Sequence, residues 1–379
     1  MGNEVKCQDS NSQALQPTAT NQLRAGWPGV IRHYWDHLPV KNEANIVTLH
    51  EGNTPLLRCS NLERMINPEI RLYLKLEGLN PTCSFKDRGM TVAISKAIEE
   101  GSRSVICAST GNTSASAAAY AARAGLRAYV LVPQGNISLG KLSQAMIHDA
   151  RVIEIEGNFD TALKLVQAAT REFPVTLVNS LNPYRIEGQK TAAFEICDEL
   201  GCAPHYHFLP VGNAGNITAY WKGFKEYQEL GRIASLPKMM GFQASGAAPI
   251  VEDRVIENPQ TLATAIKIGN PASWKSAVAA RNESGGVIEA ITDEDILAAY
   301  KLLANKEGIL AEPASAISIA GVIKKQGEGI FCKGDVVVCT LTGHGLKDPD
   351  IAIRQSEKPV RIVPSLKNLA ELFKADFDK

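Results

Sequence analysis

The chain has 379 residues, 45% of them hydrophobic and 21% charged, which is the balance of a globular protein and excludes a disordered or fibrous one. Its 40 basic and 40 acidic residues cancel, so no overall field draws it to nucleic acid or to an acidic membrane. The sequence contains no run of about 18 apolar residues, so no membrane span is predicted. At roughly 150 residues per domain, the length favours two to three domains.

The segment Met1–Gln22 is rich in Asn, Gln, Ser and Thr. It lacks the charged-then-apolar order of a secretory signal and the arginines of a transit peptide, so we expect a disordered polar tail. The eight cysteines are scattered without a C-x-x-C pair, which is typical of reduced thiols and predicts a cytoplasmic protein. The pairs His33/His37 and His205/His207 lack a third ligand, so we predict no metal site.

From Arg71 onward, apolar strand patterns alternate with helical patterns, which predicts mostly parallel sheets with helices on both faces. The number of strand–helix units is larger than one sheet comfortably holds, and we therefore expect two three-layer α/β domains. A helix is predicted over Asp160–Glu172 from its apolar spacing, and another over Thr292–Ala304 from its capping box. The predicted strands are Arg71–Glu77, Ser104–Ser109, Arg127–Pro133, Arg151–Glu156, Val175–Ser180, His205–Val211, Lys238–Ala244 and Asp335–Thr342.

In open parallel sheets, ligands bind where loops leave the carboxyl ends of the strands. The first such loop, Pro81–Gly89, places Lys86 at the entry of a helix predicted over Met90–Glu100. The positive end of a helix disfavours an ammonium ion and lowers its pKa, which suits a nucleophilic amine that forms a Schiff base. The alternative interpretation of Lys86 is a surface lysine in a polar loop.

Two further loops have the composition of anion sites. Ser109–Ser114 offers more hydroxyl and amide groups than capping of the helix Ala115–Ala124 requires. Gly212–Asn216 lies between the strand His205–Val211 and a helix over Ile217–Leu230, so its backbone can approach a phosphate closely. Neither loop is a dinucleotide or P-loop motif, which disfavours a nucleotide.

The fourth loop, Thr342–Gly345, follows an apolar strand, and the Thr342 hydroxyl could meet a ring nitrogen without fixing a proton on it. A Schiff-base lysine, a phosphate loop, a hydroxyl for a ring nitrogen and a polar loop together describe pyridoxal 5′-phosphate. Its aldehyde, phosphate and pyridine nitrogen each need a partner. Each motif is weak alone, and their joint occurrence carries the prediction.

The same loops resemble a known family. Ser84–Gly89 resembles the lysine motif, and Ser109–Asn112 the substrate loop, of the β-family (fold type II, tryptophan synthase β-like) of pyridoxal-phosphate enzymes. Within it, Gly212–Asn216, Asn179–Lys190 and Leu341–Pro349 resemble the members that act on a phosphorylated amino acid, rather than dehydratases or cysteine synthases. The resemblance covers nearly all of the chain after the polar tail.

The resemblance implies a reaction in which O-phospho-L-homoserine and water give L-threonine and phosphate by β,γ-replacement, with Lys86 as the Schiff-base lysine and proton shuttle. It implies a homodimer, a large cofactor-binding domain (23–83 plus 179–379), a small domain (84–178) and the cofactor in the cleft between them. The implied cofactor contacts are Lys86, Phe85, Asn112, Gly212, Asn213, Ala214, Gly215, Asn216 and Thr342. The implied substrate contacts are Ser109, Thr113, Asn179, Ser180, Arg185 and Asn213.

Two residues also have a meaning apart from the resemblance. The guanidinium of Arg185 suits a phosphate, because it can donate two parallel hydrogen bonds. The resemblance implies that the helix beginning at Glu312 lies near the cleft, and the alternative interpretation of Glu312 is an acidic residue that only satisfies the dipole at this helix start.

Two other functions stay open at this point. A serine or threonine dehydratase would share the lysine motif, but its substrate has no phosphate, so Arg185 and the loop Gly212–Asn216 argue against it. A non-catalytic binding protein of Rossmann-like fold would bind no yellow cofactor, and borohydride would fix none on Lys86.

Overall fold

The computed structural model describes residues 26–134, 139–157 and 159–377, so the predicted polar tail lies outside the described residues. No helix in these ranges is long and apolar enough to cross a membrane. The strands are β1 Leu56–Arg58, β2 Arg71–Leu76, β3 Ser104–Ala108, β4 Arg127–Pro133, β5 Arg151–Ile155, β6 Thr176–Leu177, β7 Tyr206–Pro210, β8 Lys238–Ala244, β9 Val287–Ile291 and β10 Val336–Leu341. The helices are α1 Val30–His33, α2 Ser60–Ile66, α3 Lys86–Glu99, α4 Asn112–Arg123, α5 Leu139–Ile147, α6 Phe159–Glu172, α7 Pro183–Leu200, α8 Gly215–Glu229, α9 Pro249–Glu252, α10 Trp274–Glu283, α11 Asp293–Glu307, α12 Pro313–Gly327, α13 Pro349–Gln355 and α14 Leu366–Phe377.

The strands form two sheets. The larger has six strands in the order β1-β2-β10-β7-β8-β9, and the smaller has four in the order β5-β4-β3-β6. All neighbours are parallel except β1 and β2. Apolar clusters with helical partners cover both faces of each sheet. The prediction of two three-layer α/β units with mostly parallel sheets is confirmed.

The predicted elements are found with small differences. Each predicted strand contains an observed strand, although Val175–Ser180 shrinks to the two residues of β6, and the short edge strands β1 and β9 were missed. The helices predicted over Asp160–Glu172 and Thr292–Ala304 are present as α6 and α11, and the one predicted over Ile217–Leu230 is α8. The Thr292 hydroxyl accepts from the Asp295 N–H at 3.1 Å, as a capping box requires. The helices predicted to begin at Met90 and Ala115 begin earlier, at Lys86 and Asn112, because polar site residues form their first turns.

Helix α3, which begins at Lys86, crosses α7 at a contact between backbones. A Cβ atom on Gly188 would lie 1.9 Å from the carbonyl oxygen of Arg88, and one on Gly89 would lie 2.8 Å from that of Arg185. Only glycines therefore allow the two helices this close together. The crossing fixes the start of α3 against the segment that carries Arg185.

A buried ion cluster fixes the same helix against β2. The Arg88 guanidinium donates to Glu77 at 2.7 Å and to Glu195 at 2.6 Å, and the Lys75 ammonium donates to Glu195 at 2.7 Å. All four side chains are buried, and each charge has an opposite partner. Moving any of these side chains away would leave an uncompensated charge in the interior, which is costly. The ion cluster therefore holds the Lys86 end of α3 in one position.

Candidate active site

The loop that leads into Lys86 is joined to the loop that follows β10. The Phe85 N–H donates to the carbonyl oxygen of Thr342 at 2.9 Å, and the His344 N–H donates to that of Cys83 at 3.0 Å. Cys83 has a φ of 65°, a left-handed conformation that turns the chain sharply before the lysine. These bonds bring Lys86 and Thr342, two residues far apart in sequence, to the same edge of the larger sheet.

The Lys86 amine lies in an environment that disfavours its charge. The side chain is half-buried, and its Nζ is 3.6 Å from the centre of the Phe85 ring, a contact that by itself favours the ammonium form. Burial holds the pKa of the Lys86 ammonium well below its usual range, and the positive charge of Arg185 lowers this pKa further. An uncharged amine of this kind is the form that attacks an aldehyde.

Asp87 connects the lysine helix to the neighbouring helix α4. Its buried carboxylate accepts from the Thr82 N–H at 2.7 Å, from the Thr82 hydroxyl at 2.5 Å and from the Ser116 hydroxyl at 2.6 Å. Burial raises the pKa of Asp87 to about 6, although these hydrogen bonds oppose the rise. Because Ser116 lies one turn after Asn112, Asp87 also fixes the start of α4.

Asn112 and Thr342 meet through a third residue, Glu312. The Asn112 Nδ2 lies 3.1 Å from Glu312 Oε2, and the Thr342 Oγ1 lies 3.3 Å from Glu312 Oε1. The Glu312 side chain makes no hydrogen bond to the start of α12 and faces Asn112 and Thr342 instead, so of the two interpretations of Glu312 the position near the cleft agrees better with the structure. No local pattern indicates this contact, since about 200 residues separate Asn112 from Glu312.

The loop from Gly212 to Asn216 connects β7 to α8. Ala214 has a left-handed φ of 64°, and α8 begins at the next residue, so the first N–H groups of a 15-residue helix face the loop. Both polar atoms of the Asn216 amide are buried without a hydrogen-bond partner. A phosphate group would accept from the Asn216 Nδ2 and from the N–H groups at the helix start.

These residues fit pyridoxal phosphate. The group carries an aldehyde, a phosphate, a phenolic oxygen and a ring nitrogen. The described part of the chain offers a charge-disfavoured amine at Lys86, an unsatisfied amide at Asn216, an amide at Asn112 and a hydroxyl at Thr342. The fit rests above all on Asn216, because a buried amide without partners costs free energy until a ligand binds it.

Arg185 is a buried cation that has no acidic partner within residues 26–134, 139–157 and 159–377. Its side chain is 2% exposed, its Nη1 donates to the Val178 carbonyl oxygen at 3.3 Å, and its Nε has no partner. No Asp or Glu of the described residues interacts with it, and burial lowers its pKa to about 10. Since a lone buried charge is costly, the arrangement favours a ligand with negative charge at this place.

Four other predicted substrate residues follow two strands of the smaller sheet: Ser109 and Thr113 come after β3, and Asn179 and Ser180 come after β6. The Asn179 amide exchanges two hydrogen bonds with the backbone of Ala108, at 2.8 and 2.9 Å, and so positions the loop that starts at Ser109. The Ser109 hydroxyl in turn accepts from the Gly111 N–H at 3.2 Å. Thr113 and Ser180 are half-buried. The contacts of all these residues with a substrate stay predictions.

Lys347 is a further cation near the site that the sequence did not indicate. Its Nζ donates to the Thr82 carbonyl oxygen at 3.1 Å and also to the Gln144 side chain in α5. Burial lowers the pKa of Lys347. It therefore links the loop after β10 to a helix beside the smaller sheet, a contact that only the tertiary structure reveals.

Comparisons with known proteins agree with this geometry. Residues 47–343 match the family model described as pyridoxal-phosphate dependent enzyme. The threonine synthase of Halalkalibacterium halodurans is 59% identical over 339 residues, which cover 89% of this chain and 95% of that protein. The threonine synthase of Mycobacterium bovis is 58% identical over 353 residues, which cover 92% of this chain and 97% of that protein.

Solved structures share the fold at much lower identity. Cysteine synthase from Entamoeba histolytica superposes with a TM-score of 0.71 at 18% identity, covering 91% of this chain and 96% of its own. The processed form of threonine deaminase isoform 2 from Solanum lycopersicum superposes with a TM-score of 0.68 at 22% identity, covering 83% of this chain and 84% of its own. At such identities the likeness concerns the fold alone.

Proposed function

The chain belongs to the pyridoxal-phosphate-dependent enzymes and, within them, to the threonine synthases, and on that premise we propose that its cleft converts O-phospho-L-homoserine and water to L-threonine and phosphate. The observation that supports this substrate is Arg185, a buried guanidinium near Lys86 without a carboxylate partner among the described residues. A phosphate dianion satisfies its donors bidentately. A dehydratase substrate has no phosphate and offers only its α-carboxylate as an anion.

Pyridoxal phosphate, when bound, supplies an aldehyde that links to amines and a ring that delocalises the negative charge left by proton removal. In this proposal Lys86 supplies the linking amine and Phe85 packs beside it. Asn112 donates to the phenolic oxygen, and Thr342 faces the ring nitrogen. The cofactor's phosphate rests on the loop of Gly212, Asn213, Ala214, Gly215 and Asn216.

The chain's own groups then move protons and hold the leaving group. Burial and the nearby Arg185 lower the pKa of Lys86, and its uncharged form accepts the proton from the substrate Cα. After delivering that proton to the bound cofactor, the same amine would be able to take the next proton at Cβ. Arg185 fixes the substrate phosphate and compensates the charge that grows on it as it departs from Cγ. Its proposed partners in holding that phosphate are Ser109, Thr113, Asn179, Ser180 and Asn213.

The same proposal covers domains, assembly and location. Two separate sheets support a division into a large domain (23–83 plus 179–379) and a small domain (84–178), with the cofactor in the cleft between them. A homodimer is proposed from the resemblance, and a cytoplasmic location from the scattered cysteines. The exposed apolar side chains Leu366 and Phe373 on α14 suit a subunit contact. Light scattering on the purified holoenzyme measures the assembly, and a monomeric mass would contradict the dimer.

The activity test compares phosphate release from O-phospho-L-homoserine with ammonia release from L-threonine. We expect the first reaction with threonine as product, and loss of both turnover and the yellow absorbance band in Lys86→Ala. Lys301→Ala, at an exposed lysine of α11, is the matched control and should behave as the wild type. Ammonia release without phosphate release would instead support the dehydratase.

A further inference from the structure

The Asn112 side chain is joined to a residue of the other sheet. Asn112 begins α4, which packs on the smaller sheet, whereas Glu312 directly precedes α12, which packs on the larger sheet. The Asn112 Nδ2 donates to Glu312 Oε2 at 3.1 Å and lies 3.4 Å from Glu312 Oε1. No other hydrogen bond of the Asn112 side chain is found within residues 26–134, 139–157 and 159–377. The direction of its amide therefore depends on Glu312.

The Glu312 carboxyl is itself held against the larger sheet. The Glu312 N–H donates to the Gly343 carbonyl oxygen at 2.9 Å, and a Cβ on Gly343 would lie 2.5 Å from Glu312 Cδ, so only glycine leaves room for the carboxyl. Glu312 is 5% exposed. Burial raises the pKa of Glu312, whereas the hydrogen bond from Asn112 and the charges of Lys86 and Lys347 oppose that rise. The carboxyl therefore has a fixed position from which it can align the Asn112 amide.

We propose that Glu312 is a positioning residue that turns the Asn112 Nδ2 toward the phenolic oxygen of the bound cofactor. The inference rests on the proposed cofactor contacts. A carboxylate offers only acceptors, so it binds the nitrogen end of the amide and not the oxygen end. That nitrogen carries two protons, of which Glu312 takes one and leaves the other for the phenolic oxygen. Because the amide is aligned before the cofactor arrives, binding does not have to restrict the Asn112 side chain.

A double-mutant cycle on the holoenzyme isolates this effect. Equilibrium dialysis against free pyridoxal phosphate gives its dissociation constant, and the absorbance spectrum gives the ratio of the near-ultraviolet band to the yellow band. The yellow band belongs to the form with an ionised phenolic oxygen, which a hydrogen-bond donor stabilises, so the band ratio reports the Asn112 hydrogen bond. Glu312→Ala is introduced into the wild type and into Asn112→Ala. The loss of the Glu312 charge affects the cofactor in both backgrounds, so it cancels in the comparison.

We expect Glu312→Ala to raise the dissociation constant and the band ratio about three- to tenfold more in the wild type than in Asn112→Ala, which is the factor expected from restricting one side chain. The control is Glu294→Ala, at an exposed position in the first turn of α11, and it should change neither quantity. Equal effects in the two backgrounds would overturn the proposal.

A change in the dissociation constant without a change in the band ratio would also overturn the proposal, because it would indicate a merely structural role. If Glu312→Ala does not retain the cofactor, the cycle is run with Glu312→Gln, whose amide can bind either end of the Asn112 amide, and equal effects there overturn the proposal in the same way. Since the holoenzyme is measured without substrate, the result is independent of phosphate release, which tests the proposed function.

Discussion

Replacing Arg185 by Met should stabilise the fold and damage the activity. Burial lowers the pKa of Arg185 to about 10, which is roughly two to three pKa units below that of a free guanidinium, and one pKa unit corresponds to about 1.4 kcal/mol. Because the pKa of Arg185 is lower in the folded state than in the unfolded state, its charge destabilises the fold by roughly 3 kcal/mol at every pH below about 10. Loss of the hydrogen bond to Val178 removes about 1 kcal/mol. We expect the free energy of unfolding to rise by roughly 2 kcal/mol.

The same variant should lose most of its activity on O-phospho-L-homoserine. Truncating one partner of a buried charge pair costs about 2–5 kcal/mol, which is roughly a 30- to 5,000-fold loss in kcat/KM. Urea unfolding at pH 7 and phosphate-release kinetics measure the two effects, with Arg123→Met at the exposed end of α4 as control. Inorganic phosphate should raise the Tm of the wild type and leave that of the variant unchanged. A less stable variant with unchanged kcat/KM would refute the reasoning.

Two further predictions concern the elements that hold α3. Gly188→Ala should lower the free energy of unfolding by about 3 kcal/mol in a urea titration, because its new Cβ would lie 1.9 Å from the Arg88 carbonyl oxygen. The control is Gly327→Ala in α12, where a Cβ would meet open space. In the same titration this control should be neutral or slightly stabilising. Equal effects would contradict the close crossing. Burial opposes ionisation of Glu195, but Arg88 and Lys75 hold its pKa at about 2, so its contribution to stability is present above about pH 4.5 and is lost as the pH falls toward 2. Urea titrations across that range should show a smaller decline for Glu195→Gln than for the wild type, and parallel profiles would count against this assignment.

The central strands of both sheets were predictable because a strand buried on both faces must be apolar along its whole length. Val336–Leu341 is such a strand, and its sequence contains one polar residue, Thr340. The edge strands β1 and β9 carry no such signal. Leu56–Arg58 is three residues long and antiparallel, and Val287–Ile291 is half-buried with a glutamate in its middle. Their pairing depends on the neighbouring strand rather than on their own pattern.

The site was predictable to the extent that its chemistry is local. Lys86 stands at a helix start and the segment Gly212–Asn216 stands between a strand and a helix, so their sequences indicate an amine and an anion site. Lys347 was not predictable as a site residue, and Glu312 was indicated only by the resemblance. Glu312 has the ordinary position of an acidic residue before a helix, and only the fold shows that its carboxyl turns to Thr342 instead.

The two buried arginines show most clearly what the fold adds to the sequence. Arg88 and Arg185 are the two largest fully buried side chains of the described residues. Arg88 forms ion pairs with Glu77 and Glu195, so its charge is compensated within the fold and no ligand is required. Arg185 lies at the same crossing of α3 and α7 but has no carboxylate partner among the described residues, and burial lowers its pKa. A fold keeps such an uncompensated cation at a cost in stability, and a phosphorylated substrate is what would offset that cost in the bound state.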